Sequence, residues 1–151
     1  MKRSMVLVAV LVLVAPIFAQ QMKPWDDMSF TQIEDAMESA FKIQGWEVEV
    51  ELNVDKQGVY FHIDTGGTLM VYSEPKNHRK TIKFLFEACA AVGEITRQTS
   101  WKSSRVYFLV WGEKQAWVST WACRKFLNLL KQGDSTKASN FLFENYHATR
   151  K

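Results

Sequence analysis

Apolar and polar side chains alternate most regularly along residues 46–54, WEVEVELNV. In an extended chain, one side of this segment carries only apolar residues: Trp46, Val48, Val50, Leu52 and Val54. Such alternation is typical of a strand with one buried face and one hydrated face. A second alternating run, VYFHID at residues 59–64, follows a turn at residues 55–58 and predicts a neighbouring strand.

Apolar residues that recur every three to four positions predict four helices. Ser29 and Gln32 have the spacing of a capping box, so we expect the first helix to begin there and to end near Gly45. The other three helices are predicted over residues 77–96, 121–131 and 135–148.

Three further strands are predicted in the remaining apolar runs. LMVY, residues 69–72, follows a tight turn at Gly66 and Gly67, since glycine adopts positive φ without a steric penalty. VYFLVW and AWVST, residues 106–111 and 116–120, predict a hairpin around a GEKQ turn.

This last hairpin is apolar on both faces if Trp111 pairs with Ala116. In that pairing Trp117 lies beside Val110, on the face away from Tyr107. We expect one face to pack against helices, and the other to be covered by a terminal helix, a second subunit or a ligand. Tyr107 and Trp111 are therefore predicted binding residues.

The predicted element order is α-β-β-β-α-β-β-α-α, which indicates an α+β fold. We expect an antiparallel sheet of about five strands with helices on one face, in a single domain of residues 29–151. This order resembles that of the type III secretion chaperone-like fold, which YbjN-like proteins also adopt. The resemblance implies binding of a protein partner, often by a dimer, although fold alone does not determine function.

The N-terminus has the anatomy of a secretory signal peptide. Lys2 and Arg3 precede an apolar run, and the small residue Ala19 precedes two glutamines. A membrane anchor is the competing interpretation, but the run is shorter than the roughly 20 residues that span a bilayer. We predict cleavage after residue 19, a non-periodic arm over residues 20–28, a secreted or periplasmic location, and no membrane span in the mature chain.

Charge in the predicted mature chain is nearly balanced, with 17 basic and 16 acidic residues, which does not favour a nucleic-acid partner. Its distribution is uneven. Residues 26–55 hold nine acidic residues and one basic residue, whereas residues 76–151 hold fourteen basic and five acidic ones. We expect either pairing between packed elements or an oppositely charged docking surface.

The two cysteines, Cys89 and Cys123, lie on the apolar faces of predicted helices. In an oxidising compartment they can form a disulfide, worth roughly 3 kcal/mol by the chain-entropy model. Two buried free thiols are the alternative. Redox catalysis is not indicated, since the sequence holds no C-x-x-C pair.

Asp64-Thr65-Gly66 matches the D-T-G triplet of aspartic proteases. The resemblance implies a homodimer in which two Asp64 carboxylates share a proton. However, a hairpin turn explains the same residues, and Gly67 stands where that family usually has Ala or Ser.

His62 and Asp64 are two residues apart on a predicted strand, so their side chains share a face. Glutamates of the preceding strand can lie beside them and complete a divalent-metal site. Outward glutamates also suit any hydrated strand, so we predict no bound metal and no cofactor.

His78, Arg79 and Lys80 form a basic cluster at the start of the second predicted helix. Positive charge there opposes the helix dipole, so these residues are candidates for binding a phosphate or carboxylate. Pairing with the acidic first third of the chain is the alternative.

The sequence thus favours a small noncatalytic binding or adaptor domain that holds a protein partner, or a second copy, through its sheet or its last hairpin. It contains no P-loop, dinucleotide-binding glycine motif or nucleophile elbow, so an enzyme is disfavoured. The alternatives are a small hydrolase of the D-T-G type and a carrier of small apolar ligands.

Overall fold

The structure, a computed structural model, describes residues 25–69 and 72–149. Within this part of the chain lie four α-helices: α1 (Phe30–Ile43), α2 (Arg79–Arg97), α3 (Thr120–Lys131) and α4 (Ser135–Glu144). The predicted signal peptide and residues 20–24 of the predicted arm lie outside the described residues. No described helix combines the length and the apolar character that a membrane span requires.

One sheet of five strands lies under these helices. Its strands follow one another across the sheet in chain order: β1 (Glu49–Asp55), β2 (Gly58–Asp64), β3 (Ser103–Val110), β4 (Glu113–Ser119) and β5 (Tyr146–Ala148). The α+β class and the packing of helices on one face are confirmed.

The sheet is mixed, so the prediction of an antiparallel sheet was wrong at one junction. β2 and β3 are parallel, whereas the other three neighbouring pairs are antiparallel. The reason is the connection: α2 carries the chain from the end of β2 back to the end of the sheet where β2 began. The chain therefore contains one β-α-β unit between two hairpins.

The prediction that residues 69–72 form a strand is not supported. Leu69 and Tyr72 are buried outside any strand, and residues 70 and 71 lie outside the described residues. The fifth strand is instead β5, which the apolar spacing had placed in the last helix. Asn145 ends α4, because its side-chain amide donates to the Phe141 carbonyl at 2.9 Å, and the chain then turns to pair with β4.

The β3–β4 hairpin has a tighter turn than the predicted GEKQ loop. Trp111 and Gly112 form a two-residue turn with φ of 50° and 80°, the mirror-image type that suits a twisted hairpin. A bulge then leaves Gln115 without a partner on β3 and shifts the register by one residue, so that Tyr107 pairs with Trp117. The predicted pairing of Trp111 with Ala116 was therefore wrong, and Trp117 lies on the same face as Tyr107.

The core lies between the sheet and the helices and is formed almost entirely by the predicted apolar positions. Ser29 and Gln32 form the predicted capping box of α1, which contributes about 1 kcal/mol. Two apolar positions depart from the predictions. Trp25, in the predicted arm, is completely buried, and Val54, at the end of the predicted buried face, is 66% exposed.

Cys89 on α2 and Cys123 on α3 are buried free thiols. Burial, together with the neighbouring Cys123, raises the pKa of the Cys89 thiol well above its usual range. The two helices cross so closely here that a Cβ atom on Gly93 would lie only 2.6 Å from the Cys123 carbonyl oxygen. Glycine is thus required at the crossing point.

Candidate functional site

The sheet is covered by helices on one side, and its other side is exposed. Side chains on the covered side are buried, whereas most of those on the other side are half-buried or exposed. We call this second surface the open face. Its members are Glu49, Glu51, Asn53, Tyr60, His62, Asp64, Arg105, Tyr107, Leu109, Lys114, Trp117 and His147.

Five of these side chains form a single row across all five strands. The strand register places them directly opposite one another, in the order Glu51, His62, Tyr107, Trp117 and His147. Paired residues on neighbouring strands point to the same face. This transverse row therefore has a carboxylate at the β1 end, an imidazole at the β5 end, and aromatic rings between them.

The rings of the transverse row stack in pairs. The centroids of His62 and Tyr107 are 5.2 Å apart with an interplanar angle of 17°, and those of Trp117 and His147 are 4.1 Å apart with an angle of 19°. These separations are close to the spacing of about 4.8 Å between strands. The rings must therefore stand upright on the sheet, with faces against one another and edges toward solvent.

Two cations lie against these rings. The Arg105 guanidinium carbon is 3.9 Å from the Trp117 ring centroid, and the Lys114 ammonium is 4.2 Å from that of Tyr107. Each such contact contributes about 0.5–1 kcal/mol at an exposed site. The cations hold the rings in place and give the β3–β4 half of the open face a positive charge.

His62 is held in its position from two sides. Its ring stacks on Tyr107, and its Nδ1 lies 3.1 Å from the Asn53 amide nitrogen, which fits an imidazole that accepts there. Burial and the nearby Lys114 charge lower the pKa of His62, although Glu51 acts in the opposite direction. His62 is thus favoured as a neutral ring in this environment.

Asp64, the acidic residue of the D-T-G triplet, bonds to the main chain of two turns. Its carboxylate accepts the N–H groups of Gly66 at 2.8 Å, Trp111 at 3.1 Å and Gly112 at 2.6 Å. The Trp111 ring, 76% exposed, covers Gly67, where an added Cβ would lie 3.2 Å from it. These contacts support the unusual positive φ of Trp111.

The outer edge of β1 is covered by side chains of α1. The Val50 N–H donates to Glu38 at 2.8 Å, and the Leu52 N–H donates to Glu34 at 2.9 Å. The spacing of the two carboxylates matches that of the two N–H groups. The four residues from Glu34 to Glu38 advance about 6 Å along the helix, and the two residues from Val50 to Leu52 advance about 6.6 Å along the strand. The two carboxylates occupy the donors that an added strand would need at this edge.

A groove of about 690 Å³ lies between α1, the start of β1 and the turn that follows β2. Trp46 and Trp111 both line it, but nine of its fourteen lining residues carry polar side chains, including five carboxylates. A carrier of apolar ligands needs a mainly apolar pocket, so the groove gives that alternative no support.

The predicted site residues fall into separate places. Tyr107 lies at the centre of the open face, whereas Trp111 lies at the end of the β3–β4 hairpin. His78, Arg79 and Lys80 lie at the start of α2, on the covered side, where the Lys80 ammonium is 5.8 Å from the Trp46 ring centroid. The structure therefore does not bring this basic cluster together with Tyr107.

The metal candidates His62 and Asp64 share the open face, as the alternation predicts. In residues 25–69 and 72–149, no three His, Cys, Asp or Glu side chains are grouped so as to hold a metal ion. The His62 ring and the Asp64 carboxylate instead have the protein partners described above.

Arg105, Trp117 and His147 are the main members of the open face that the sequence analysis missed. The sequence analysis predicts Trp117 on the opposite face because the polarity pattern does not indicate the bulge at Gln115. His147 lies in β5, whereas the sequence analysis predicts a helix over residues 135–148. The signal for Arg105 and Trp117 was their alternation with buried Val106 and Val118 on the two strands.

The fold and the site together define an α+β domain whose mixed sheet is covered by helices on one side only. No family model, no curated protein and no solved structure matches the chain.

Proposed function

We propose that this chain is a noncatalytic binding domain that acts outside the cytoplasm and holds a protein partner on its open face. The transverse row carries the proposal. Stacked rings and a guanidinium lie partly buried at the centre of an uncovered surface. Tyr, Trp and Arg are the residues that most often dominate the binding energy of protein interfaces.

The arrangement of the rings favours a protein over a nucleic acid. Single-stranded nucleic acids stack their bases on free ring faces. Here the faces of Tyr107 and Trp117 are covered by neighbouring rings and cations. The exposed edges offer hydroxyl and ring N–H groups, which suit hydrogen bonds to a folded protein surface.

The covered edge of β1 also favours binding on the face. A partner strand that added to β1 would have to displace Glu34 and Glu38 from the main-chain N–H groups. β5, at the other edge, has only three residues. Strand addition is therefore disfavoured, and the open face is the larger uncovered surface of the sheet.

Site-specific photo-crosslinking tests this function. p-Benzoylphenylalanine replaces Tyr107 in the cells that produce the protein, and a control variant carries it at Asn128, an exposed residue on the outer side of α3. We expect an adduct from position 107 that is absent from position 128. Mass spectrometry identifies the adduct, and its protein is then purified for binding measurements.

The purified partner should bind the native chain, and Tyr107→Ala or Arg105→Ala should weaken that binding about tenfold or more. Asn128→Ala should leave the affinity unchanged. An absence of adducts at position 107, or equal adducts at both positions, contradicts the proposed function.

A further inference from the structure

Two cations of the open face, Arg105 and Lys114, have aromatic rings as neighbours. In the described part of the chain, no carboxylate lies within ion-pair distance of either cation, whereas Glu87 and Glu94 on α2 each have a cation partner. Lys114 is exposed, but Arg105 is half-buried. A half-buried guanidinium has lost part of its hydration, so without an anion beside it its charge is not fully compensated.

Both cations contact Tyr107. The Lys114 ammonium is 4.2 Å from the Tyr107 ring centroid, and a guanidinium nitrogen of Arg105 is 3.5 Å from the Tyr107 hydroxyl oxygen. Two positive charges beside one side chain repel each other, and an anion between them would offset that repulsion. The structure thus places a pair of uncompensated like charges on β3 and β4, at the middle of the open face.

The hydrogen-bond donors at this point suit a carboxylate. The Arg105 guanidinium carbon is 3.9 Å from the Trp117 ring centroid, so the guanidinium lies against the face of that ring. An arginine stacked in this way keeps N–H donors accessible along its edge, and they match the two oxygens of a carboxylate. Because the Tyr107 hydroxyl oxygen accepts from Arg105, its O–H group is available to donate to the same anion.

The carboxylates of the open face itself do not fill this role. Glu49 and Glu51 lie on β1, two strands away from β3. Asp64 already accepts three main-chain N–H groups. An acidic group of a partner is therefore attracted to β3 and β4 and repelled by β1, which favours one direction of the partner across the face.

We propose that the protein held on the open face contributes an acidic side chain, Asp or Glu, that lies between Arg105 and Lys114. It accepts hydrogen bonds from the Arg105 guanidinium and the Tyr107 hydroxyl. This inference rests on the proposed function, because it assigns the chemistry of the partner held on the same surface. The uncompensated charge of the two cations is the observation that carries it.

Titration with an acetylated, amidated tetraglutamate peptide, followed by nuclear magnetic resonance, tests the site in the chain alone. The peptide should shift the indole N–H resonance of Trp117. The double change Arg105→Gln with Lys114→Gln should weaken its binding about fivefold or more. Lys137→Gln, the same charge change on an exposed position of α4, should leave the binding unchanged.

Circular dichroism checks that the double variant folds. If it does not, Lys114→Gln alone tests the site, because Lys114 is exposed. This single change should weaken binding of the peptide about twofold or more.

The partner isolated by crosslinking at position 107 allows a second test. A water-soluble carbodiimide joins an amine to a carboxylate that it contacts, so it should couple Lys114, and not Lys137, to an Asp or Glu of the partner. Arg105→Lys adds a second amine and should give coupling from position 105. Affinity for the partner should fall with added salt, and less steeply for the double variant.

The inference is overturned if tetraglutamate does not bind the native chain, or binds the double variant equally well. It is also overturned if the partner couples to Lys114 no more than to Lys137. The proposed function survives these results when position 107 gives an adduct, because that adduct does not depend on the charge of the partner. If position 107 gives no adduct, the proposed function and this inference are both wrong.

Discussion

The carboxylate of Asp64, at the end of β2, accepts the main-chain N–H of Gly112 at 2.6 Å. Because it also bonds to Trp111 and Gly66, it joins the turn after β2 to the turn of the next hairpin. Asp64 thereby holds together two strands that are parallel neighbours but far apart in sequence. Hydrogen bonds to a charged group of this kind contribute about 1.5–3 kcal/mol.

Replacement of Asp64 by Asn should therefore lower the free energy of unfolding by about 2 kcal/mol, since the amide presents an NH₂ group to at least one of the three N–H donors. Urea unfolding measures the loss. Asp35→Asn, on an exposed position of α1, is the matched control and should change stability by less than about 0.5 kcal/mol. Equal effects of the two changes would contradict the role given to Asp64.

Removal of the edge carboxylates by the double change Glu34→Ala and Glu38→Ala should expose the β1 edge. We expect the amides of Val50 and Leu52 to exchange with solvent at least tenfold faster, and the protein to aggregate more readily. Hydrogen exchange and light scattering measure the two effects. The control, Glu34→Gln with Glu38→Gln, keeps an acceptor oxygen at each position and should retain most of the protection.

Because of Glu87, the free energy of unfolding should fall as pH rises. Burial raises its pKa above the ordinary value of 4.5, although the Trp46 hydrogen bond and Lys83 oppose this. Because the folded state binds the proton more tightly, the stabilising contribution of the protonated form is complete below pH 4.5. It is lost as pH rises through the folded-state pKa.

Glu87→Gln keeps an acceptor for Trp46. Because glutamine does not ionise, this change removes the loss of stability that occurs when the Glu87 carboxyl gives up its proton. The variant should be more stable than the native chain at pH 7, by on the order of 1 kcal/mol, and the difference should shrink toward pH 4. Thermal unfolding at several pH values measures it, and comparison with the native chain cancels the contribution of His62. A difference that does not vary with pH would rule out this role for Glu87. Glu144→Gln, on an exposed position of α4, is the control.

Cys89 and Cys123 should both titrate as free thiols when the protein is unfolded without reductant. In the folded protein they should react slowly, because both are completely buried and the pKa of Cys89 is raised. A thiol-reactive chromophore measures both stages. No reactive thiol after unfolding would instead establish the disulfide, the alternative that the sequence leaves open.

Gly93→Ala should destabilise the protein by about 1–3 kcal/mol, because the new methyl group would overlap the Cys123 carbonyl oxygen. The sign of this effect is diagnostic. In an unobstructed helix the same change stabilises by about 1 kcal/mol. A more stable variant would therefore show that α2 and α3 do not cross as closely as described.

Features set by local contacts were predicted well from the sequence. The capping box of Ser29 and Gln32 and the alternation of Val59, Phe61 and Ile63 depend on residues close in the chain. The parallel pairing of β2 with β3 was not predicted. The polarity pattern of a strand specifies which face is buried, but not the direction of its neighbour.

The candidate site was predicted only in part, because its composition depends on strand register. A shift of register by an odd number of residues moves a side chain to the other face. The bulge at Gln115 makes such a shift between β3 and β4, and it brings Trp117 beside Tyr107. The turn at Trp111 and Gly112 was not predicted either, since the usual sequence signal, Asn or Gly at the first position, is absent.

The parallel junction between β2 and β3 also divides the chain during folding. β1 with β2, and β3 with β4, are hairpins that each form from neighbouring residues, but their union requires closure of the long connection at residues 65–102. Until α2 docks, the inner edges of both hairpins are unpaired, and each is a template for another chain. Glu34 and Glu38 cover only the outer edge of β1 and leave the inner edges of β2 and β3 unprotected. A newly made chain is therefore most prone to aggregate in the period before this closure.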